Sequence, residues 1–192
     1  MEKKNEMMLL VSIAFVVGLL VGIIGANVMQ DTPTPGQTAS APPPTTGGQG
    51  NQQQQVQQLK KIVADDPENR NAWVRLGHAY FDSNQPTKAI EAYDKALALN
   101  SNDADVLTDQ GVMFRRMGWY DKAIENFAKA NEVNPSHAVS LFNMGIVYRY
   151  DLQDFDKAIE VWEKYLEVNP TGPQAEQVRA ELEFLKNNSR GQ

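Results

Sequence analysis

A chain of 192 residues with a formal charge of −6, no cysteine and two histidines excludes several chemistries at the outset. Without cysteine there is no disulfide framework, Cys-X-X-Cys redox pair, c-type haem attachment or thiol nucleophile. Two separated histidines, His78 and His137, assemble neither a multi-histidine metal site nor a histidine-oriented triad, and the acidic balance argues against a nucleic-acid partner, for which a basic face is expected.

In chain order, a short N-terminus over residues 1–6 carries Lys3 and Lys4, and Met7 to Met29 follow as 23 residues without a charge. At about 1.5 Å per residue that run spans roughly 34 Å, enough to cross a hydrocarbon core of about 30 Å. It reads as a single transmembrane helix over 7–29, because it is longer than the apolar core of a signal peptide and lacks a clean A-x-A cleavage site. Lys3 and Lys4 before it and Asp31 after it place residues 1–6 in the cytoplasm and the rest outside it. The expected location is therefore a bacterial inner membrane with the folded domain in the periplasm. Gly18, Gly22 and Ala26 recur every four residues, either a small-residue face for a homodimer or the ordinary abundance of small residues in bilayer helices. Residues 30–54, rich in Pro, Gly, Thr, Ser and Gln, have too little apolar surface to fold and read as a disordered tether.

Val56, Leu59, Ile62 and Val63 then predict a leading helix over 55–67, closed by Pro67. From there a period dominates. Gly77, Gly111 and Gly145 stand 34 residues apart, and so do Trp73, Leu107 and Leu141, and Tyr80, Phe114 and Tyr148. Ala89, Ala123 and Ala158 follow with the last interval longer by one residue, as do Tyr93, Phe127 and Trp162. Trp73, Leu76, Gly77 and Tyr80 lie at i, i+3, i+4 and i+7, one stripe of a helix, with the glycine letting a second helix come close. Neither helix of such a pair can bury its stripe alone, so neighbours must stack.

Period, W-x2-L-G-x2-Y signature, Ala89, Tyr93 and a closing proline together resemble the tetratricopeptide repeat (TPR) over residues 70–172. The resemblance implies an all-α solenoid of three helix-turn-helix repeats, 70–103, 104–137 and 138–172. The leading helix becomes half of an incomplete repeat. Two departures stand out: Gln110 where the family carries Leu, and one extra residue in the third turn, Asp151 to Asp154. After the break at Pro170 to Pro173, Ala175, Val178, Leu182 and Leu185 form an apolar stripe that resembles a capping helix over 173–187, ahead of a tail at 188–192.

Positions one, five and eight residues after the tryptophan site fall on the other face of each first helix, which the resemblance makes a concave peptide-binding groove. They are Val74, His78 and Phe81; Thr108, Val112 and Arg115; Phe142, Ile146 and Arg149, with Arg116 and Tyr150 at one rim. Apolar residues there favour a protein or peptide client, and the arginines favour an acidic or carboxylate group on it. Val74 and His78 stand where the two-carboxylate clamp of some TPR domains carries Lys and Asn, and Asp109 faces the groove. Trp119, beside Tyr120, is a possible edge contact or a packing residue of its turn.

Asp151, Asp154 and Asp156 lack the glycine and the twelfth-position glutamate of a calcium loop, and read as turn and capping acids. Gly47, Gly48 and Gly50 follow no strand and form no phosphate cradle. No catalytic residue, cofactor site or metal site is expected. The chain reads as a non-enzymatic membrane-anchored interaction module that recruits or scaffolds a client. Its plan resembles the TPR subunits of cytochrome c biogenesis, which hold client apoproteins; a cytosol-facing import receptor and a self-associating scaffold are the alternatives.

Overall fold

The computed structural model describes residues 47–189, all within the unit Pro44–Gln192. The predicted span, its small-residue face, the cytoplasmic start and residues 30–46 of the tether lie outside the described residues. Those described form helices and no strand: α1 (Gly47–Asp65), α2 (Arg70–Asp82), α3 (Pro86–Leu99), α4 (Ala104–Arg116), α5 (Tyr120–Val133), α6 (Ala138–Ile146), a π-helical segment (Val147–Leu152), α7 (Phe155–Val168) and α8 (Pro173–Ser189). Each helix packs on its neighbours in sequence, and α4 also touches α2 and α6. The first helices of successive repeats therefore form one layer and the second helices another.

Local chemistry sets the helix starts. Asn69, Asp103 and Asp154 cap α2, α4 and α7, their side-chain oxygens accepting the N–H groups of Ala72 (3.0 Å), Val106 (3.1 Å) and Lys157 (3.2 Å). Pro86 opens α3, where its missing N–H costs nothing. The Trp73 indole donates to the Pro67 carbonyl at 2.8 Å, tying the signature tryptophan to the proline that ends the preceding helix.

Within each repeat the core is an aromatic ring of the second helix lying on the glycine of the first. Tyr93, Phe127 and Trp162 are almost wholly buried, and a Cβ added at Gly77, Gly111 or Gly145 would collide with the ring of Tyr93, Phe127 or Trp162 respectively. Ala89, Ala96, Ala123, Ala130 and Ala158 have no exposed surface and leave room for the larger groups across the layer. Burial of each such ring contributes about 1.5–3 kcal/mol.

The ends of the array differ from the sequence-based expectation at one side. Helix α1 begins at Gly47 rather than at residue 55, so residues 47–54 are helical and not part of the tether. The glutamines there supply a polar outer face to a helix whose Val56, Leu59 and Val63 are buried, while Ile62, a step off that stripe, is 41% exposed. Helix α8 caps the other end as expected, with Ala175, Val178, Leu182 and Leu185 buried.

The extra residue of the third repeat is absorbed in the helix rather than in the turn. In the first two repeats the N–H groups of Gln85 and Trp119 reach back to the Tyr80 and Phe114 carbonyls, each at 2.9 Å; in the third, Asp154 N–H reaches one residue further, to the Tyr148 carbonyl at 2.8 Å. Val147–Leu152 widens into a π turn to make up the difference. The left-handed residue that reverses the chain recurs in all three turns as Asn84, Gly118 and Gln153. Gln110, buried at 3% exposure, is fully engaged rather than merely accommodated. Its amide donates to Asp94 (2.7 Å) and to the Ile90 carbonyl (3.3 Å), and its oxygen accepts from Asn126 (2.7 Å), joining the first and second repeats.

Alanine at Gly77, Gly111 or Gly145 tests the ring-on-glycine contact by sign. In an open helix the change stabilises by about 0.5–1 kcal/mol; here overpacking of about 1–3 kcal/mol opposes it. Denaturant unfolding is expected to show net destabilisation at all three sites, and an increase in stability at any of them would refute the contact.

Candidate peptide-binding site

The first helices α2, α4 and α6 supply the candidate surface. Val74, Phe81, Val112, Phe142 and Ile146 are half-buried, each packed at its base against the core while its far side stays accessible. Phe142 rests on the Tyr165 ring with centroids 5.8 Å apart. The face is thus an apolar floor continuous with the core rather than a set of free side chains. Val139, on the first turn of α6, adds the most exposed apolar group to this layer at 52%. Sequence reasoning missed it because it lies three residues before Phe142, outside the sampled positions; the helical i, i+3 relation is the signal that finds it.

Thr108 does not belong to the surface. It is 3% exposed, its hydroxyl donates to the Ala104 carbonyl at 2.7 Å, and His137 Nδ1 lies 3.4 Å away. The turn leading into α6 folds over it. His137 in turn reaches Asp105 with Nε2 at 3.0 Å, so this histidine bridges α4 and the start of α6.

The arginines expected to receive a client carboxylate already hold carboxylates of this chain. Arg115 makes a two-pronged contact with Asp151, its second bond 3.3 Å long, and Arg149 Nε lies 3.3 Å from Glu181. Arg70, at the start of α2, pairs with Asp103, the cap of α4. These partners follow their arginines by 32 to 36 residues, close to one period, so the repeat arithmetic could have found them. Arg116 lies over the Phe81 ring, 4.6 Å from its centroid, and donates to Asn84 at 3.3 Å. Tyr150 donates its hydroxyl to Glu181 at 2.6 Å; burial first, and that hydrogen bond second, push its pKa up to about 12.

His78 is exposed on α2 and meets Asp109 of α4 at 3.1 Å, with its ring edge against Tyr93. The hydrogen bond to Asp109 holds the imidazole pKa above its ordinary value against the opposing effect of burial, and Asp82 and Asp103 add to the increase. Asp151 and Asp154 act as an ion-pair partner and a helix cap, as turn acids should. Trp119 is 44% exposed, 5.9 Å from the Phe114 ring, with Lys122 Nζ 4.8 Å from its own centroid. It stands at the end of the helix layer and not on its inner face.

A pKa raised on folding means that protonated His78 stabilises the fold fully below its unfolded pKa of about 6.5, and that this contribution disappears as pH rises through the folded value. A His78→Gln protein is therefore expected to melt lower than wild type near pH 5.5 and to converge with it at alkaline pH. His137 is present in both and cancels. A melting difference that stays flat with pH would refute the His78–Asp109 coupling.

Among the described residues no helix is long and apolar enough to cross a membrane, and no cluster of His, Asp and Glu is placed to hold a metal ion. Residues 27–175 match the family described as the cytochrome c-type biogenesis protein H TPR domain. Among curated proteins, the human protein O-mannosyl-transferase TMTC3 is 34% identical over 89 residues, 46% of this chain and 10% of that protein. Photosystem I assembly protein Ycf3 of Acaryochloris marina is 27% identical over 103 residues, 51% of this chain and 62% of that one. The chain therefore spans only a tenth of the transferase and less than two thirds of the assembly protein. Among solved structures, YrrB, described as a TPR protein with an unusual peptide-binding site, superposes with a TM-score of 0.62 at 25% identity, covering 69% of this chain and 68% of that one. Period, stacked helix pairs and the family match agree: the chain belongs to the cytochrome c-type biogenesis protein H TPR domain family.

Proposed function

We propose that this protein is a membrane-anchored, non-enzymatic TPR module that holds an unfolded or helical protein segment for an assembly process at the membrane. The observation that carries the reading is the apolar floor of Val74, Val112, Val139, Phe142 and Ile146 across three successive first helices. Such a strip would be a solubility cost if it met only water, and it suits the apolar face of an extended or helical client. Because Arg115 and Arg149 are already paired, recognition rests on apolar contact more than on capture of a client carboxylate. Membership of the cytochrome c biogenesis family favours apocytochrome segments around a Cys-X-X-Cys-His haem-attachment site as clients. The uncharged run at 7–29 supplies the anchor in this reading, with the repeats outside the cytoplasm; Gly18, Gly22 and Ala26 offer a face for pairing two anchors.

Fluorescence anisotropy with a labelled apocytochrome peptide carrying Cys-X-X-Cys-His tests the client. Binding is expected, and Val139→Asp is expected to weaken it about tenfold, about 1.4 kcal/mol, with the melting temperature unchanged because Val139 is exposed. Phe142→Ala is a poorer probe, since its ring also packs on the core and its loss costs stability. Equal affinity of wild type and Val139→Asp would remove the client from this surface. Topology is tested separately: protease added to intact spheroplasts should digest the repeats, and protection until lysis would place them in the cytoplasm.

A further inference from the structure

Six of the nine large apolar side chains left exposed among the described residues gather at one edge of the array: Met117, Trp119, Tyr150, Leu152, Phe155 and Phe184. They come from the turn between α4 and α5, the π segment, the start of α7 and the later part of α8, so no single amphipathic helix explains them. Side-chain geometry joins five of them, all but Met117, into two groups. Trp119, Lys122 and Leu152 line one surface depression. The Arg149 guanidinium lies 5.2 Å from the Tyr150 ring, 5.2 Å from Phe155 and 5.3 Å from Phe184. Leu152, in the same short segment as Tyr150 and Phe155, connects the groups. The cluster comes from turns and helix ends, whereas the apolar floor of the candidate groove runs along the first helices.

The chain also enters the described domain at this edge. Helix α1 takes the place of a second helix of a repeat, and α3, α5 and α7 in the same role all start from these turns. Gln52, Gln53 and Val56 accordingly line a depression with Ser83, Asn84 and Gln85 of the first turn, and α1 continues outward from there to Gly47, about one and a half turns more. Seventeen residues, 30–46, connect Gly47 to the end of the uncharged run at Met29. Even fully extended they reach no further than about 60 Å.

We infer that this edge docks on the surface of the lipid bilayer. Trp and Tyr favour the boundary between headgroups and acyl chains, with smaller apolar tips entering beside them. Lys122, held over the Trp119 ring, is placed to send its ammonium to lipid phosphates. A handful of such side chains gives weak affinity alone, but a short covalent connection to an inserted helix raises the effective concentration enough for the contact to form. The inference rests on the anchor reading given above. Docking there would leave the groove, on a different face of the array, open to clients.

The test uses the full chain reconstituted in phosphatidylcholine–phosphatidylglycerol vesicles, with plain or brominated acyl chains, and reads tryptophan emission. Trp73 and Trp162 both remain in a Trp119→Phe protein, so subtracting its emission isolates the Trp119 signal. Trp119 emission is expected to be lost in the brominated vesicles, and to recover when Leu152, Phe155 and Phe184 are changed together to Gln. If that triple variant melts early, Phe184→Gln alone, at the most exposed of the six, must still restore part of the emission. Flotation resistant to alkaline carbonate reports the anchor independently. Retained flotation with unquenched Trp119 overturns the docking and leaves the anchor standing; lost flotation overturns the anchor and the docking with it. Efficient crosslinking of a photoreactive residue at position 155 to a protein, with Trp119 unquenched, assigns the edge to a protein contact and also overturns the proposal.

Discussion

The close approach of an aromatic ring to a bare helix backbone is the contact on which the remaining structure depends. Tyr93 on Gly77, Phe127 on Gly111 and Trp162 on Gly145 set the separation of the two helices in each repeat. That separation in turn determines where the opposite face of the first helix lies. The second-helix ring changes from Tyr to Phe to Trp while the glycine beneath it stays the same, and Ala89, Ala123 and Ala158 beside it are equally buried. The groove floor is positioned by this layer, since Phe142 and Ile146 stand on the same helix as Gly145.

Coupling between repeats is polar as well as apolar. Arg70 with Asp103, Arg115 with Asp151, and Arg149 with Glu181 each join a first helix to the following turn, π segment or cap. Exposed ion pairs contribute little individually, but these are partly buried and each spans nearly one period of the array, so they favour one stacking register over a slipped one. Gln110 does the same inside the core, where an apolar residue would pack equally well but would specify no partner. The consequence for function is direct. Positive charge that looks free in a helical projection is consumed by the stack, and the inner surface is left to recognise shape and apolar character.

The third repeat departs most from the other two, and its departure has a local cause. An added residue must lengthen either the turn or the helix, and the turn is constrained by a backbone hydrogen bond onto Tyr148 and by a left-handed residue at Gln153. Widening Val147–Leu152 into a π turn satisfies both. It also swings Tyr150 and Leu152 to the surface beside Phe155, so that a one-residue change in length is associated with the exposed apolar edge.

Fold class and the buried stripes of the repeats and of the last helix were legible in the sequence, because a period of 34 residues repeats the same packing problem three times and each copy checks the others. That Val74, Phe81, Val112, Phe142 and Ile146 share the outward face of the first helices follows from helical geometry alone. The start of α1 was not legible, since glutamines and glycines carry no apolar periodicity. Nor was the burial of Thr108, decided by a turn 29 residues away, or the exposure of Val139. The sequence by itself determined which residues share a helix face, a matter of 3.6 residues per turn. Only the tertiary structure decided which of those faces another repeat covers and which arginines an acidic neighbour neutralises, because both depend on contacts between residues a whole repeat apart.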